Sequence, residues 1–278
     1  MSEPSSLPIG PVAFIGGGNM ARSLIGGLVA RGVAAGDIRV AEPVAALREA
    51  LQRDFGVACF DNAQAAAEGA SVWLLAVKPQ VMREVCASLA EQARAQRPLA
   101  ISIAAGITAS QLDRWLGGEV AVVRAMPNTP ALLGVGITGL YANAAAAPRF
   151  DQAAGLLDAV GPTVRIDEET QMDAVTAVSG SGPAYVFLLA EAMQQAGQAQ
   201  GLSADAARAL VRQTLLGAAT MLTQSEEPAE VLRARVTSPG GTTQAAIETF
   251  EAGGFRDLVD SAIAAATRRG RELSAANE

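Results

Sequence analysis

The 278-residue chain contains no histidine. That removes histidine acid–base chemistry, histidine-based triads and most zinc sites, and no metal is expected. Lysine is nearly as scarce: of 21 basic residues Lys78 alone is lysine, the rest being arginine. An arginine-biased genome explains the background, but a lysine retained within it invites a reason. Aromatic residues make up 4% of the chain, too few for base-stacking platforms. The net charge is −7 with no block of consecutive basic residues, so neither nucleic acid nor an anionic membrane is an expected partner. The two cysteines, Cys59 and Cys86, form neither a metal-ligand spacing nor a disulfide framework and read as buried reduced thiols. No apolar run reaches the roughly 18 residues of a membrane span. The opening MSEPSSLPIG lacks the basic and apolar regions of a signal peptide, and residues 1–9 read as a disordered leader. A cytoplasmic location is expected.

Half of the residues are apolar, which suits a sizeable core. Gly10–Gly32 is the most informative stretch. An apolar run, Val12–Ile15, stops at Gly16-Gly17-Gly18, and a helical pattern starts near Asn19. Gly16-x-Gly18-x-x-Ala21 has the spacing of a dinucleotide-binding turn. Gly16 would make the tight exit from the strand, Gly18 would admit a pyrophosphate, and Ala21 would let the helix lie close to the strand. The helix start would face the phosphates with free N–H groups and the positive end of its dipole. An ordinary strand–turn–helix uses the same residues.

Further along, Ile38–Ala41 reads as a second strand ending at Glu42. An acid there accepts hydrogen bonds from adenosine ribose hydroxyls and opposes a 2′-phosphate; it equally suits a helix start. Val57–Phe60 is a third strand, and Ser71–Val77 has the continuous apolar character of a central parallel strand. It ends at Lys78, with Pro79 opening a helix. Lys78 therefore lies at a strand's carboxyl end, where open α/β sheets bind ligands, although a surface lysine fits the spacing too. Leu99–Ile103 runs into Ala104-Ala105-Gly106, Val120–Arg124 into Met126-Pro127-Asn128-Thr129-Pro130, and Gly136–Tyr141 and Thr163–Ile166 complete the strand candidates. The alternation is that of a parallel sheet covered by helices on both faces. Beyond Glu168 only helices are expected, near 169–177, 183–199, 203–223, 229–235, 242–252 and 255–274. The expected domains are thus 10–167, binding a dinucleotide, and 168–278, helical and burying its apolar faces in a dimer.

Between two of those helices stands VTSPGGTT, Val236–Thr243. Pro239 fixes one backbone dihedral, while Gly240-Gly241 open conformations closed to other residues. Backbone N–H groups at a helix start make a compact anion site suited to one carboxylate, and Ser238, Thr242 and Thr243 add hydroxyls. A plain helix cap after a Pro-Gly turn is the alternative.

Taken together, these segments resemble the pyrroline-5-carboxylate reductase family. The matching stretches are FIGGGNMA (Phe14–Ala21), AVKPQ (Ala76–Gln80), SIAAGI (Ser102–Ile107), RAMPNTPA (Arg124–Ala131), DAVTAVSGSGPAYVF (Asp173–Phe187) and VTSPGGTTQAAIE (Val236–Glu248). They occur in the family's order across nearly the whole chain, and RAMPNTPA, SGSGPAYVF and SPGGTT are far more specific than the glycine turn. The resemblance implies an α/β fold, with an N-terminal Rossmann-type parallel-sheet domain followed by an all-helical C-terminal dimerisation domain. It implies reduction of 1-pyrroline-5-carboxylate to L-proline with NADPH or NADH, by a homodimer or larger homo-oligomer whose active site is completed by the partner. By motif, Ile15, Gly16, Gly17, Gly18, Asn19 and Met20 would hold the pyrophosphate. Ala76, Val77, Lys78 and Pro79, with Ala104 and Ala105, would line the nicotinamide half, and Asn62 would stand on the adenosine side. Ser238, Gly240, Gly241 and Thr242 would hold the substrate carboxylate, with Thr243 at the ring nitrogen. Glu169 matches an acidic position near that pocket. Many members carry a small hydroxyl residue where this chain has Glu42, which points to NADH being accepted.

Two rival readings exist. β-Hydroxyacid dehydrogenases share a two-domain plan but place a catalytic lysine in the second domain, and no lysine follows Lys78. A non-catalytic dinucleotide-sensing dimer would not need an intact SPGGTT loop.

Overall fold

The computed structural model describes residues 10–277. The expected leader, residues 1–9, lies outside the described residues. The chain divides into two compact units, one ending at Ser181 and regaining the chain from Ala266, the other spanning Gly182–Ala265.

The first unit is built on eight strands: β1 (Val12–Ile15), β2 (Ile38–Ala41), β3 (Ala58–Phe60), β4 (Val72–Leu75), β5 (Leu99–Ser102), β6 (Ala121–Met126), β7 (Thr138–Ala142) and β8 (Thr163–Arg165). Their order is β3-β2-β1-β4-β5-β6-β7-β8. The first six strands in sequence run parallel, joined β1 to β2, β2 to β3, β1 to β4, β4 to β5 and β5 to β6. The chain leaves β1 in one direction to build β2 and β3, then returns to add β4 on the other side. That reversal is a topological switch, and it opens a crevice at the carboxyl ends of β1 and β4.

Alternation along the central strands feeds two apolar cores. Val12 and Phe14 of β1, with Val72 and Leu74 of β4, pack beneath α1 (Asn19–Ala30), α2 (Ala45–Phe55) and, further along the sheet, α6 (Phe150–Leu157). Ala13, Ile15, Trp73 and Leu75 face α3 (Ala63–Ala67), α4 (Pro79–Gln96) and α5 (Ala109–Trp115). Both faces of the central strands are thus covered, which is why they read as unbroken apolar runs. The α4 helix begins at Pro79, whose fixed φ suits a first helical turn. Cys86 is buried on α4, and burial pushes its thiol up to about 12, while Cys59 is half-buried and also raised by burial.

One expectation needs correction. The sheet is not parallel throughout: β7 pairs antiparallel with β6, and β8 then runs parallel to β7. The connection from Met126 to Thr138 carries only the 3-10 turn Thr129–Leu133. A parallel crossover needs about a dozen residues or more, usually helical, so this short link turns the strand back. The single helix expected near 169–177 is also resolved into three pieces. A 3-10 turn, Glu169–Gln171, leads into α7 (Met172–Val175) and then a π turn, Thr176–Gly180. The Ser181 N–H reaches the Thr176 carbonyl at 2.8 Å, which widens the last turn.

The second unit is helical: α8 (Gly182–Ala199), α9 (Ala204–Gln224), α10 (Ala229–Arg235), α11 (Thr242–Ala252) and the first half of α12 (Phe255–Ala276). Ser203 caps α9 by accepting the Ala206 N–H. Among the described residues of this unit, Ala207 and Val211 are the only buried apolar side chains. Phe187, Leu188, Leu216 and Leu258 are each more than 60% exposed. None of the described helices is long and apolar enough to cross a membrane.

Leu74 sits fully buried in the first core. Leu74→Ala is expected to lower the unfolding free energy by about 2–5 kcal/mol, read from urea denaturation followed by circular dichroism.

Candidate dinucleotide and substrate site

At the switch point the backbone is stitched tightly. The Gly16 N–H donates to the Ala41 carbonyl at 2.9 Å, and the Ala76 N–H donates to the Ile15 carbonyl at 2.8 Å. Gly16 has φ +108°, and a Cβ there would stand 2.7 Å from the Ala76 carbonyl oxygen. Only glycine meets both conditions. The structure therefore brings the glycine turn and the Ala76–Pro79 segment together, as the two ends of one crevice. Val77 is half-buried and Lys78 is exposed at the N-cap of α4.

Gly18 is the N-cap of α1, which has no side-chain cap and no acidic residue in its first turn. A Cβ added to Gly18 would meet nothing within 4 Å, and Gly18 and Asn19 are exposed while Met20 is half-buried. An uncapped helix start beneath open space is the cradle that a diphosphate fits. At the end of β2, Glu42 is 7% exposed. Its Oε2 accepts the Gly17 N–H at 3.1 Å and its Oε1 the Val44 N–H at 3.0 Å. Arg48 Nη1 donates to the Glu42 and Pro43 carbonyls, both at 2.8 Å. At the end of β3, Asn62 is exposed and caps α3, its Oδ1 accepting the Ala65 N–H at 2.8 Å.

Ala104 and Ala105 follow β5 at the same carboxyl edge, half-buried. Their loop is braced by residues distant from it in sequence. Just past the end of α12, in the stretch that belongs to the first unit, Asn277 Nδ2 donates to the Gly106 carbonyl at 3.0 Å. Gln111, buried on α5, donates to the Ser274 carbonyl at 3.1 Å. Glu169 accepts the Ala109 N–H at 2.6 Å and pairs with Arg124 Nη1 at 2.8 Å. Arg124 ends the registered part of β6 beside β5 and has 8% of its side chain exposed. Asp173 faces this cluster; burial raises its pKa, with Arg124 and Arg271 opposing and Glu169 reinforcing the rise. Asn128, buried after β6, donates to the Ser179 carbonyl at 3.2 Å and accepts the Ile137 N–H at 3.0 Å. Arg124 and Asn128 lie within RAMPNTPA, so the motif was visible while its contacts were not.

The SPGGTT residues belong to the second unit. Gly240 has φ +72°, and Gly241 is the N-cap of α11, which likewise has no side-chain cap and no acid in its first turn. Ser238, Gly240 and Thr242 are exposed and Thr243 is half-buried. The Gly241 N–H donates to the Ser238 carbonyl at 3.0 Å, and the Gly240 N–H to Gln244 Oε1 at 2.6 Å. The hydroxyls of Ser238, Thr242 and Thr243 are thus not occupied in capping α11.

A doubly wound sheet with a glycine turn at its switch point, followed by a helical unit, defines a nucleotide-dependent oxidoreductase of the Rossmann type. Residues 11–106 match the model described as NADP oxidoreductase coenzyme F420-dependent, and residues 169–273 match pyrroline-5-carboxylate reductase dimerisation. The chain is 53% identical over 265 residues to a pyrroline-5-carboxylate reductase of Pseudomonas aeruginosa, covering 95% of this chain and 96% of that one. A solved pyrroline-5-carboxylate reductase from Coxiella burnetii superposes with a TM-score of 0.92 at 40% identity, covering 96% of this chain and 99% of that one. The Plasmodium falciparum pyrroline carboxylate reductase, solved with NADP bound, gives 0.82 at 27% identity over 96% and 98%. The chain belongs to the pyrroline-5-carboxylate reductase family.

Glu169→Ala leaves Arg124 buried without its carboxylate. The Glu169 side chain is 24% exposed, which reduces the cost below that of a fully buried pair. A loss of about 2 kcal/mol is expected in urea denaturation, with Glu169→Gln losing less because the amide oxygen still accepts the Ala109 N–H.

Proposed function

We propose that the protein reduces 1-pyrroline-5-carboxylate to L-proline with NADPH or NADH, the last step of proline formation, in the cytoplasm. The observation that carries this reading is full-length identity of 53% to a named reductase, on a chain with uncapped, glycine-headed helix starts at Gly18 and Gly241. The rival dehydrogenase reading has no lysine to use beyond Lys78.

The residues account for the chemistry without histidine. The substrate's ring nitrogen, once protonated by solvent, makes an iminium carbon that is already electrophilic, so no strong general acid is required. When bound, the reduced nicotinamide supplies the hydride that adds to that carbon, leaving a secondary amine. The first turn of α1 would hold the diphosphate by the backbone N–H groups of Gly18, Asn19 and Met20, with Ile15, Gly16 and Gly17 shaping the turn beneath it. Ala76–Pro79, Ala104 and Ala105 form the floor for the nicotinamide half, and Asn62 stands on the adenosine side. Ser238, Gly240, Gly241 and Thr242 bind the substrate carboxylate, one oxygen replacing Gln244 Oε1 on the Gly240 N–H. The Thr243 hydroxyl accepts from the protonated ring nitrogen and orients the ring. Glu169 is the acidic group assigned to the substrate side. Fixing the small ring at both ends supplies much of the rate by proximity.

The domains we assign are 10–167 for the dinucleotide and 168–278 for dimerisation and substrate. Homodimerisation is supported by burial: among its described residues the helical unit buries only Ala207 and Val211 and leaves Phe187, Leu188, Leu216 and Leu258 exposed, the kind of apolar surface that marks a protein interface. An apolar groove of about 760 Å³ between α8, α11 and α12, lined by Leu189, Met193, Ile247, Phe250 and Val259, remains open in the single chain.

The direct assay follows NADH or NADPH oxidation by its near-ultraviolet absorbance with the pyrroline substrate; no oxidation with either rejects the reading. Thr243→Ala is expected to lower turnover about 10–100-fold while leaving cofactor affinity unchanged, measured by steady-state kinetics beside nicotinamide fluorescence titration. Michaelis constants for the two cofactors are expected to show that NADH is used and that NADPH is only weakly preferred; a strong NADPH preference is the contrary result.

A further inference from the structure

An acid at the end of the second strand of such a sheet ordinarily offers its oxygens to ribose hydroxyls. In this chain both oxygens of Glu42 are engaged elsewhere. Oε2 takes the Gly17 N–H at 3.1 Å, within the glycine turn, and Oε1 takes the Val44 N–H at 3.0 Å, at the head of α2. These are charge-assisted bonds in a site where the residue is 7% exposed, and each is stronger than a neutral pair. A Cβ on Gly17 would lie 2.8 Å from Leu51 Cδ1 and 3.2 Å from Glu42 Cβ, so a larger residue would have to displace the buried Leu51 side chain.

The consequence for the turn is geometric. A trans peptide is planar, so anchoring the Gly17 N–H fixes the plane of the Gly16–Gly17 bond and sends the Gly16 carbonyl the opposite way. Gly16 is already tied to Ala41 through its own N–H. With both N–H groups turned into the fold, the next ones along the chain, at Gly18, Asn19 and Met20, open the first turn of α1. There the space above Gly18 is clear. Two N–H dipoles end on the carboxylate, and the Arg48 guanidinium is held at the same corner by the Glu42 and Pro43 carbonyls.

We propose that Glu42 is a positioning residue for the diphosphate-binding turn, acting through the Gly17 N–H, and that it does not itself select between cofactors with and without a 2′-phosphate. The proposal rests on the reading that this turn binds NADH and NADPH. It differs from a ribose-binding role in what the variants do. Loss of a ribose contact weakens NADH and leaves NADPH unchanged or tighter, because a repelling charge is removed. Loss of a turn anchor weakens both alike.

The test is titration of the full-length wild type, Glu42→Gln and Glu42→Ala with NADH and NADPH by nicotinamide fluorescence, with thermal melts to confirm folding. Glu42→Ala is expected to raise both dissociation constants by a similar factor, about tenfold, leaving their ratio within about twofold of wild type. Glu42→Gln, which keeps one acceptor oxygen, should fall between wild type and Ala for both. The KM for the pyrroline substrate at saturating cofactor should not move. If Glu42→Ala does not fold, the Gln variant carries the comparison alone. A changed NADH-to-NADPH ratio, or unchanged affinity for both, overturns the proposal. Failure of the wild type to bind either cofactor overturns the reading beneath it, and that result is read before any variant is compared.

Discussion

The contact on which the site depends is the close approach of Gly16 to Ala76 at the boundary between β1 and β4. The sheet grows outward from that boundary in both directions, so no helical connection crosses above it and a crevice remains at the carboxyl edge. Main-chain bonds from Gly16 to Ala41 and from Ala76 to Ile15 hold three strand ends in one place. Any side chain at position 16 would strike the Ala76 carbonyl, and its positive φ would be strained as well. The glycine turn, the exit from β4 and the acid after β2 are therefore one structural object, although they lie dozens of residues apart in the chain.

The two units share one local device at a helix start. Each presents a helix whose N-cap is glycine and whose first turn has no acid and no side-chain cap, at Gly18 in one unit and Gly241 in the other. Other starts satisfy an N–H group with a side chain, as Asn62 does for α3, Thr108 for α5 and Ser203 for α9. Several other starts, among them those of α2 and α4, also lack a side-chain cap; what sets Gly18 and Gly241 apart is the glycine at the cap, which leaves the first-turn donors open to close approach. Backbone donors of this kind need no histidine, which suits a reaction in which positioning matters more than proton transfer.

Much of this was legible in the residues because the signals were local. Glycines at 16 and 18, Pro79 at a helix start and Gly240-Gly241 before Thr242 each answer a backbone requirement within a few residues of themselves. The contacts that brace the site were not legible, because their partners are distant in sequence. Arg124 and Glu169 meet across 45 residues, and Asn277 reaches Gly106 across 171. The reversal of β7 was missed for a related reason. Thr138–Ala142 has a strand's composition whichever way it runs, and its direction follows from the short link after β6.

By itself the sequence determined the alternation of strands and helices, the place of the glycine turn, the change to helices beyond residue 168 and the motifs of the family. These depend on side-chain periodicity and on backbone preferences, which act over a turn or a strand. Tertiary structure alone decided the strand order, the antiparallel pairing at β7, the return of the α12 terminus to the first unit and the partners of the Glu42 carboxylate. Each of those depends on which distant segments pack side by side, and an isolated carboxylate at the end of a strand carries no mark of whether it will face a ribose or a glycine N–H.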